Sequence, residues 1–154
     1  MKTDMQFFHH LLAELQKLEQ GFCYEFLRAK SYEGNTTTGT VRLSGLDFTL
    51  LEGRPVVIVE DIVDTGVTLS KVVPKIMEES RPKSVEVCTL LEKRIDRERQ
   101  RAELCGKPAI VAKYCGFSIP NKFVIGFGLD YDEMYRDLED IWIISQEGIE
   151  AGRV

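Results

Sequence analysis

The sequence predicts an α/β protein in three layers around a mainly parallel sheet, and three observations carry that expectation. Residues 56–59, Val-Val-Ile-Val, are four consecutive β-forming apolar residues, the pattern of a strand covered on both faces. Residues 85–91 are a second strongly apolar run of strand length. Between them Leu69, Val72, Val73, Ile76 and Met77 recur at the spacing of an amphipathic helix, which gives the strand-helix-strand order of a crossover unit.

The whole chain, residues 1–154 with 44% apolar content, suits a single domain with one core. A net charge of −5 and a pI near 5.2 argue against a polyanion-binding surface, so no nucleic-acid partner is expected. Cys23, Cys88, Cys105 and Cys115 lack metal-ligand spacing and read as free buried thiols in a reducing compartment. No run of eighteen apolar residues and no signal-peptide pattern occurs, which predicts a soluble cytoplasmic protein without membrane attachment.

Thr3-Asp4-Met5-Gln6 has the form of a capping box, and Phe8, Leu11, Leu12, Leu15 and Leu18 then repeat at helical spacing up to Gly21. His9 and His10 are adjacent, point to different sides of that helix, and so do not share a metal. Residues 22–29, rich in aromatics, read as a strand, and the polar, turn-rich residues 31–40 read as a solvated loop or a mobile lid. Pro74 should kink the helix after the first strand or shorten its beginning, and residues 79–82 end it. Residues 94–105 carry dense charge of both signs and read as a solvated insertion, helical at most; residues 110–117 suit a short strand.

Chemistry concentrates where the first apolar strand stops. Glu60 and Asp61 follow it directly, at the carboxyl end where open α/β sheets bind ligands. Asp64-Thr65-Gly66-Val67-Thr68 then forms a tight turn opening onto the helix. Amides at the helix N-terminus and the Thr65 and Thr68 hydroxyls would hold a phosphate without a lysine. Acids beside a phosphate nest suggest a sugar phosphate with magnesium. The second strand exits into Glu92-Lys93-Arg94, so two strand ends face one crevice. For any one of these residues the plain alternative is a strand end, a helix cap or a surface charge. Likewise Phe123 reads alone as core, and Asp130-Tyr131-Asp132-Glu133 as an acidic loop.

The string from Val56 to Thr68 resembles the phosphoribosyl pyrophosphate (PRPP) signature of the type I phosphoribosyltransferases, in the form found among purine-salvage members. A second stretch, Ile119-Pro120-Asn121-Lys122-Phe123-Val124-Ile125-Gly126-Phe127-Gly128-Leu129-Asp130-Tyr131, is similar to their purine-binding region. The resemblance runs from about Lys2 to Glu147. It implies transfer of 5-phosphoribosyl from PRPP to N9 of hypoxanthine or guanine, giving IMP or GMP and pyrophosphate. It implies that Glu60 and Asp61 take the ribose hydroxyls or their Mg2+, and that Asp64 is the general base. Thr65, Gly66, Val67 and Thr68 would cradle the phosphate, Val67 standing where several relatives carry a basic residue. Lys93 would donate to the purine O6, Phe123 would stack on the base, and Val124 would read its edge through the backbone. Asp130 would hold magnesium through water, and Arg136 would contact pyrophosphate. Ser31 and Tyr32 would begin a lid, and Lys2 falls at a pyrophosphate-binding loop in which Thr3 and Asp4 replace small residues. The family has a core strand before that loop, so we expect an N-terminally short domain with little or no transferase activity on its own, recovered by an N-terminal segment with one apolar strand, and a dimer or tetramer. The rival expectation is a PRPP- or nucleotide-binding regulator, or a truncated enzyme, without turnover.

Overall fold

The computed structural model describes residues 6–31 and 41–151. Its centre is a three-stranded parallel sheet in the order β3 (Pro55–Val63), β4 (Ser84–Arg94), β5 (Tyr114–Pro120). Helix α2 (Val67–Ser80) makes the crossover from β3 to β4. Its buried Val72 and Ile76 pack on Ile58 of β3 and Val85 of β4, while Leu69 joins Val63, Val87 and Ala112 in an adjoining cluster. The predicted helical spacing is thus the core face at Leu69, Val72, Val73 and Ile76, whereas Met77 is exposed. Helix α1 (Gln6–Gln16) also packs on β3. The fold is thus the α/β class expected, with the antiparallel pairings placed in separate ribbons. One is β1 (Arg28–Ser31) with β2 (Val41–Ser44), and the other is β6 (Val124–Ile125) with β7 (Trp142–Ile143). Helices α3 (Arg97–Leu104) and α4 (Gln146–Ala151) and a 3-10 helix at Phe48–Leu51 complete the described elements.

Several boundaries differ from the sequence reading. Only residues 28 and 29 of the expected 22–29 strand enter a ladder, as the start of β1. The aromatic rings of Tyr24 and Phe26 instead meet Phe8 of α1, at centroid distances of 5.2 and 5.6 Å, so ring contacts rather than a pleat decide this segment. Val57, expected to be covered, is 51% exposed. β3 does not stop at Val59: its pairing with β4 continues to Val63, so Glu60 and Asp61 sit inside the ladder and Asp64 is the first residue beyond it. β4 likewise carries Glu92, Lys93 and Arg94 within the strand, paired with residues 118–120 of β5. β5 begins at Tyr114 rather than near residue 110.

Pro74 neither ends nor shortens α2, which runs unbroken for 14 residues. A missing N–H removes one bond to residue 70, and the packing of Val72 and Ile76 outweighs it. Leu18 lies beyond α1 and is exposed. The four thiols are free, but Cys23, Cys105 and Cys115 are exposed and Cys88 is half-buried, since in β4 it points to the sheet face opposite its core neighbour Val87. Among the described residues no helix is long and apolar enough to cross a membrane.

Candidate active site

The PRPP-like turn follows β3 without a break. Gly66 has φ +79°, a left-handed conformation that glycine adopts without a Cβ penalty. That turn aims the chain into α2, whose first bond runs from Ser70 N to Gly66 O at 2.8 Å. No side chain caps this helix, so its first-turn amides remain for an anion, with Thr68 in the same turn. Val67, the first residue of α2, contributes through its backbone. The basic side chain it replaces is not needed for that contribution. On the rear of the turn, Gln100 Nε2 donates to Thr65 O at 3.4 Å, and Ile110 O lies 3.8 Å from where a Gly66 Cβ would be.

Asp64 and Lys93 are 29 residues apart, yet Lys93 Nζ lies 2.8 Å from Asp64 Oδ2. The register causes this: Val63 pairs with Glu92, so the next residue of each strand meets above the sheet edge. Lys93 is only 9% exposed, whereas Asp64 is 48% exposed and can meet a ligand. The Lys93 ammonium also stands 5.8 Å from the centroid of Phe123, whose ring packs edge-on to Tyr131 at 5.3 Å. A carboxylate acceptor, an ammonium donor and an exposed aromatic ring thus share one corner. That set fits a flat heterocycle carrying both a carbonyl and an N–H.

Glu60 is largely buried. Desolvation, and secondarily the charge of neighbouring Asp61, pushes its carboxyl up to about 7. Asp61 Oδ1 accepts from Ile62 N at 2.7 Å. Two adjacent acids are hard-oxygen donors suited to magnesium or to ribose hydroxyls.

The loop after β6 is closed by its own backbone. Phe127 N donates to Leu138 O at 2.7 Å, and Gly128 N donates to Arg136 O at 3.0 Å. Arg136 pairs with Asp130 at 2.9 Å and donates to Gly128 O at 3.1 Å, so the two residues expected to serve pyrophosphate and magnesium hold each other. Asp130 also accepts from Glu133 N. Val124 lies in β6, in register with Ile143 of β7, and Phe123 O accepts from Ile144 N at 3.1 Å. Among the described residues no three His, Cys, Asp or Glu side chains converge on one metal position, so Glu60, Asp61 and Asp130 are not gathered as a single ligand set. Asp130 is committed to its own loop instead. Lys2, Tyr32 and the Thr3-Asp4 part of the capping box lie outside the described residues; Ser31 closes β1, and nothing is assigned to its side chain.

The charged run 94–105, read as a solvated insertion that is helical at most, contains α3 at Arg97–Leu104. Asp96 caps it by accepting from Glu98 N and Arg99 N, a signal present in Asp96-Arg97-Glu98-Arg99. The Arg99 guanidinium is held charged chiefly by its hydrogen bond to Glu103, with a smaller contribution from Asp64, which places this helix within electrostatic reach of the site.

With this geometry, residues 5–132 match the phosphoribosyl transferase domain, and the chain belongs to the phosphoribosyltransferase family. Among curated relatives it is 37% identical over 155 residues to the hypoxanthine-guanine phosphoribosyltransferases of dog and of human. Each alignment covers 96% of this chain, and the chain spans 66% of the length of those relatives. Among solved structures it is similar to Trypanosoma cruzi hypoxanthine phosphoribosyltransferase in complex with the product IMP, with a TM-score of 0.76 and 36% identity, covering 94% of this chain and 71% of that one. It is also similar to an asparagine mutant from an analysis of an invariant aspartic acid in such enzymes, with a TM-score of 0.80 and 36% identity, covering 98% and 74%.

Proposed function

We propose that this chain transfers the 5-phosphoribosyl group of PRPP to N9 of hypoxanthine or guanine, releasing pyrophosphate and forming IMP or GMP. The observation that carries this reading is the Asp64–Lys93 pair, set between the phosphate turn and the Phe123 ring. A 6-oxopurine offers O6 to the Lys93 ammonium and an imidazole N–H to the Asp64 carboxylate. The base therefore replaces an ion pair with two charge-assisted hydrogen bonds. Asp64 then accepts the purine proton as N9 attacks C1 of the sugar and pyrophosphate departs.

The turn from Thr65 to Thr68 holds the 5-phosphate through amides and hydroxyls, which fixes the sugar against the base. Glu60 and Asp61 hold the ribose hydroxyls, and the negative charge of Asp61, joined by Glu60 once it ionises near 7, favours the cationic sugar of an oxocarbenium-like transition state. Magnesium, held at Glu60 and Asp61, would supply charge neutralisation for the departing pyrophosphate, with Asp130 standing apart in its own loop. Arg136 adds positive charge there once it shares Asp130 with the ligand. Lys2 and the Ser31-Tyr32 lid act in the same reading as pyrophosphate contact and solvent screen.

We further assign the protein to the cytoplasm as a homo-oligomer with small-molecule partners only. Conversion of labelled hypoxanthine or guanine to its monophosphate with PRPP and magnesium tests the assignment. Binding of PRPP without any product would overturn it.

A further inference from the structure

Outside the catalytic corner, a cleft of about 500 Å³ opens between α3 and residues 106–109. Arg97, Gln100, Arg101 and Leu104 face it at positions i, i+3, i+4 and i+7 of the helix, and Lys107 lines it from the segment that follows. No carboxylate lines it: Glu103 is occupied by Arg99, at 2.8 Å. Among the described residues, Arg97, Arg101 and Lys107 have no side-chain hydrogen bond or ion pair, so three cations converge without a counter-charge in a chain whose net charge is −5. Leu104, 4% exposed, supplies an apolar floor.

We propose that this cleft is a second anion site, taking a small molecule with two or more linked phosphates, and that it reports to the phosphate turn. Linked phosphates match the three cations in charge, and arginine forks bind phosphate oxygens in pairs. The cleft's volume suits a nucleotide-sized ligand rather than an extended polymer, and the acidic surface elsewhere repels a polyanion. The route to the turn is short. Gln100, on the cleft wall, donates to Thr65 O, and Ile110 O, next to the cleft residue Ala109, packs behind Gly66. An anion that draws Arg97 and Arg101 inward moves the helix carrying Gln100. It thereby reaches the turn without touching its phosphate-binding side. The inference stands on this geometry and not on the transferase reading.

Amide NMR of the full chain during titration with tripolyphosphate tests it, with adenosine triphosphate in a parallel arm to separate phosphate recognition from nucleoside recognition. Gly106 and Lys107 amides should shift and saturate with both ligands, and the combined Arg97→Gln, Arg101→Gln, Lys107→Gln protein should bind about tenfold more weakly or worse. These side chains are exposed or make no contact, and the single Lys107→Gln protein, expected to show part of the loss, guards against misfolding of the triple variant. A component of the Thr65 and Gly66 shifts should follow the Gly106 isotherm and vanish in Gln100→Ala while the Gly106 shift stays. Shifts confined to residues 65–68, or equal affinity in the triple variant, would overturn the site. Gly106 shifts with no matching component at Thr65 and Gly66 would overturn the coupling.

Discussion

Replacing Glu60 by glutamine removes an ionisation that the fold opposes and leaves the side-chain shape intact. The carboxyl is pushed from its ordinary 4.5 up to about 7, first by burial and then by the charge of Asp61. In the unfolded chain it gives up its proton near 4.5, while the folded protein keeps that proton until about 7. The unfolded state thus releases its proton first, and stability falls as pH rises between those values. Below 4.5 the residue contributes no difference, and above 7 the full cost is present. At about 1.4 kcal/mol for each pH decade the ceiling is about 3.5 kcal/mol, reduced by whatever water reaches the carboxyl. Urea unfolding of the wild type and Glu60→Gln at pH 4.5, 6 and 8 isolates this residue, since other carboxylates cancel in the difference. The variant should gain on the wild type as pH rises, by about 2–3 kcal/mol at pH 8, while binding PRPP less well. Asp61→Asn should reproduce a smaller part of the gain, because the like charge is the lesser cause. A wild-type-minus-variant difference that is flat from pH 4.5 to 8 would refute the argument.

Three further outcomes follow from the same geometry. Asp64→Asn keeps a partner for Lys93 but cannot take a proton, so steady-state turnover should fall roughly 10²–10⁴-fold with PRPP affinity within a few fold; unchanged turnover would exclude the base role. The wild type should use hypoxanthine or guanine and reject adenine, whose amino group mismatches an ammonium donor. Lys93→Met should raise the oxopurine KM by about 10–100-fold, as loss of a charged hydrogen bond requires; efficient use of adenine by the wild type would end that assignment. Gly126, at φ +86°, would place a Cβ 2.0 Å from Asp140 O, so Gly126→Ala should lose about 3 kcal/mol or more, read by the fluorescence of Trp142, the only tryptophan. A wild-type unfolding midpoint would contradict it.

The strand, turn and helix around residues 56–77 were legible in the sequence because apolar periodicity, glycine and threonine act over a few residues. The candidate ligand groups were legible for the same reason: Glu60, Asp61, Asp64 and the amides of the turn lie within one short string. Local pattern could not say where the ladder stops. Backbone pairing with β4 carries Glu60 and Asp61 inside β3, so burial rather than a strand end sets the chemistry of Glu60. Nor could it bring Asp64 to Lys93, because that pair is made by parallel register between strands joined through 14 residues of helix. The same holds for α3, a charged run whose surroundings the sequence does not display. Its capping aspartate is local, but the contact of Gln100 with Thr65 is made across 35 residues of chain. Which groups are neutral, paired or poised for a ligand is a sum over neighbours distant in sequence, and only the tertiary structure supplies those neighbours.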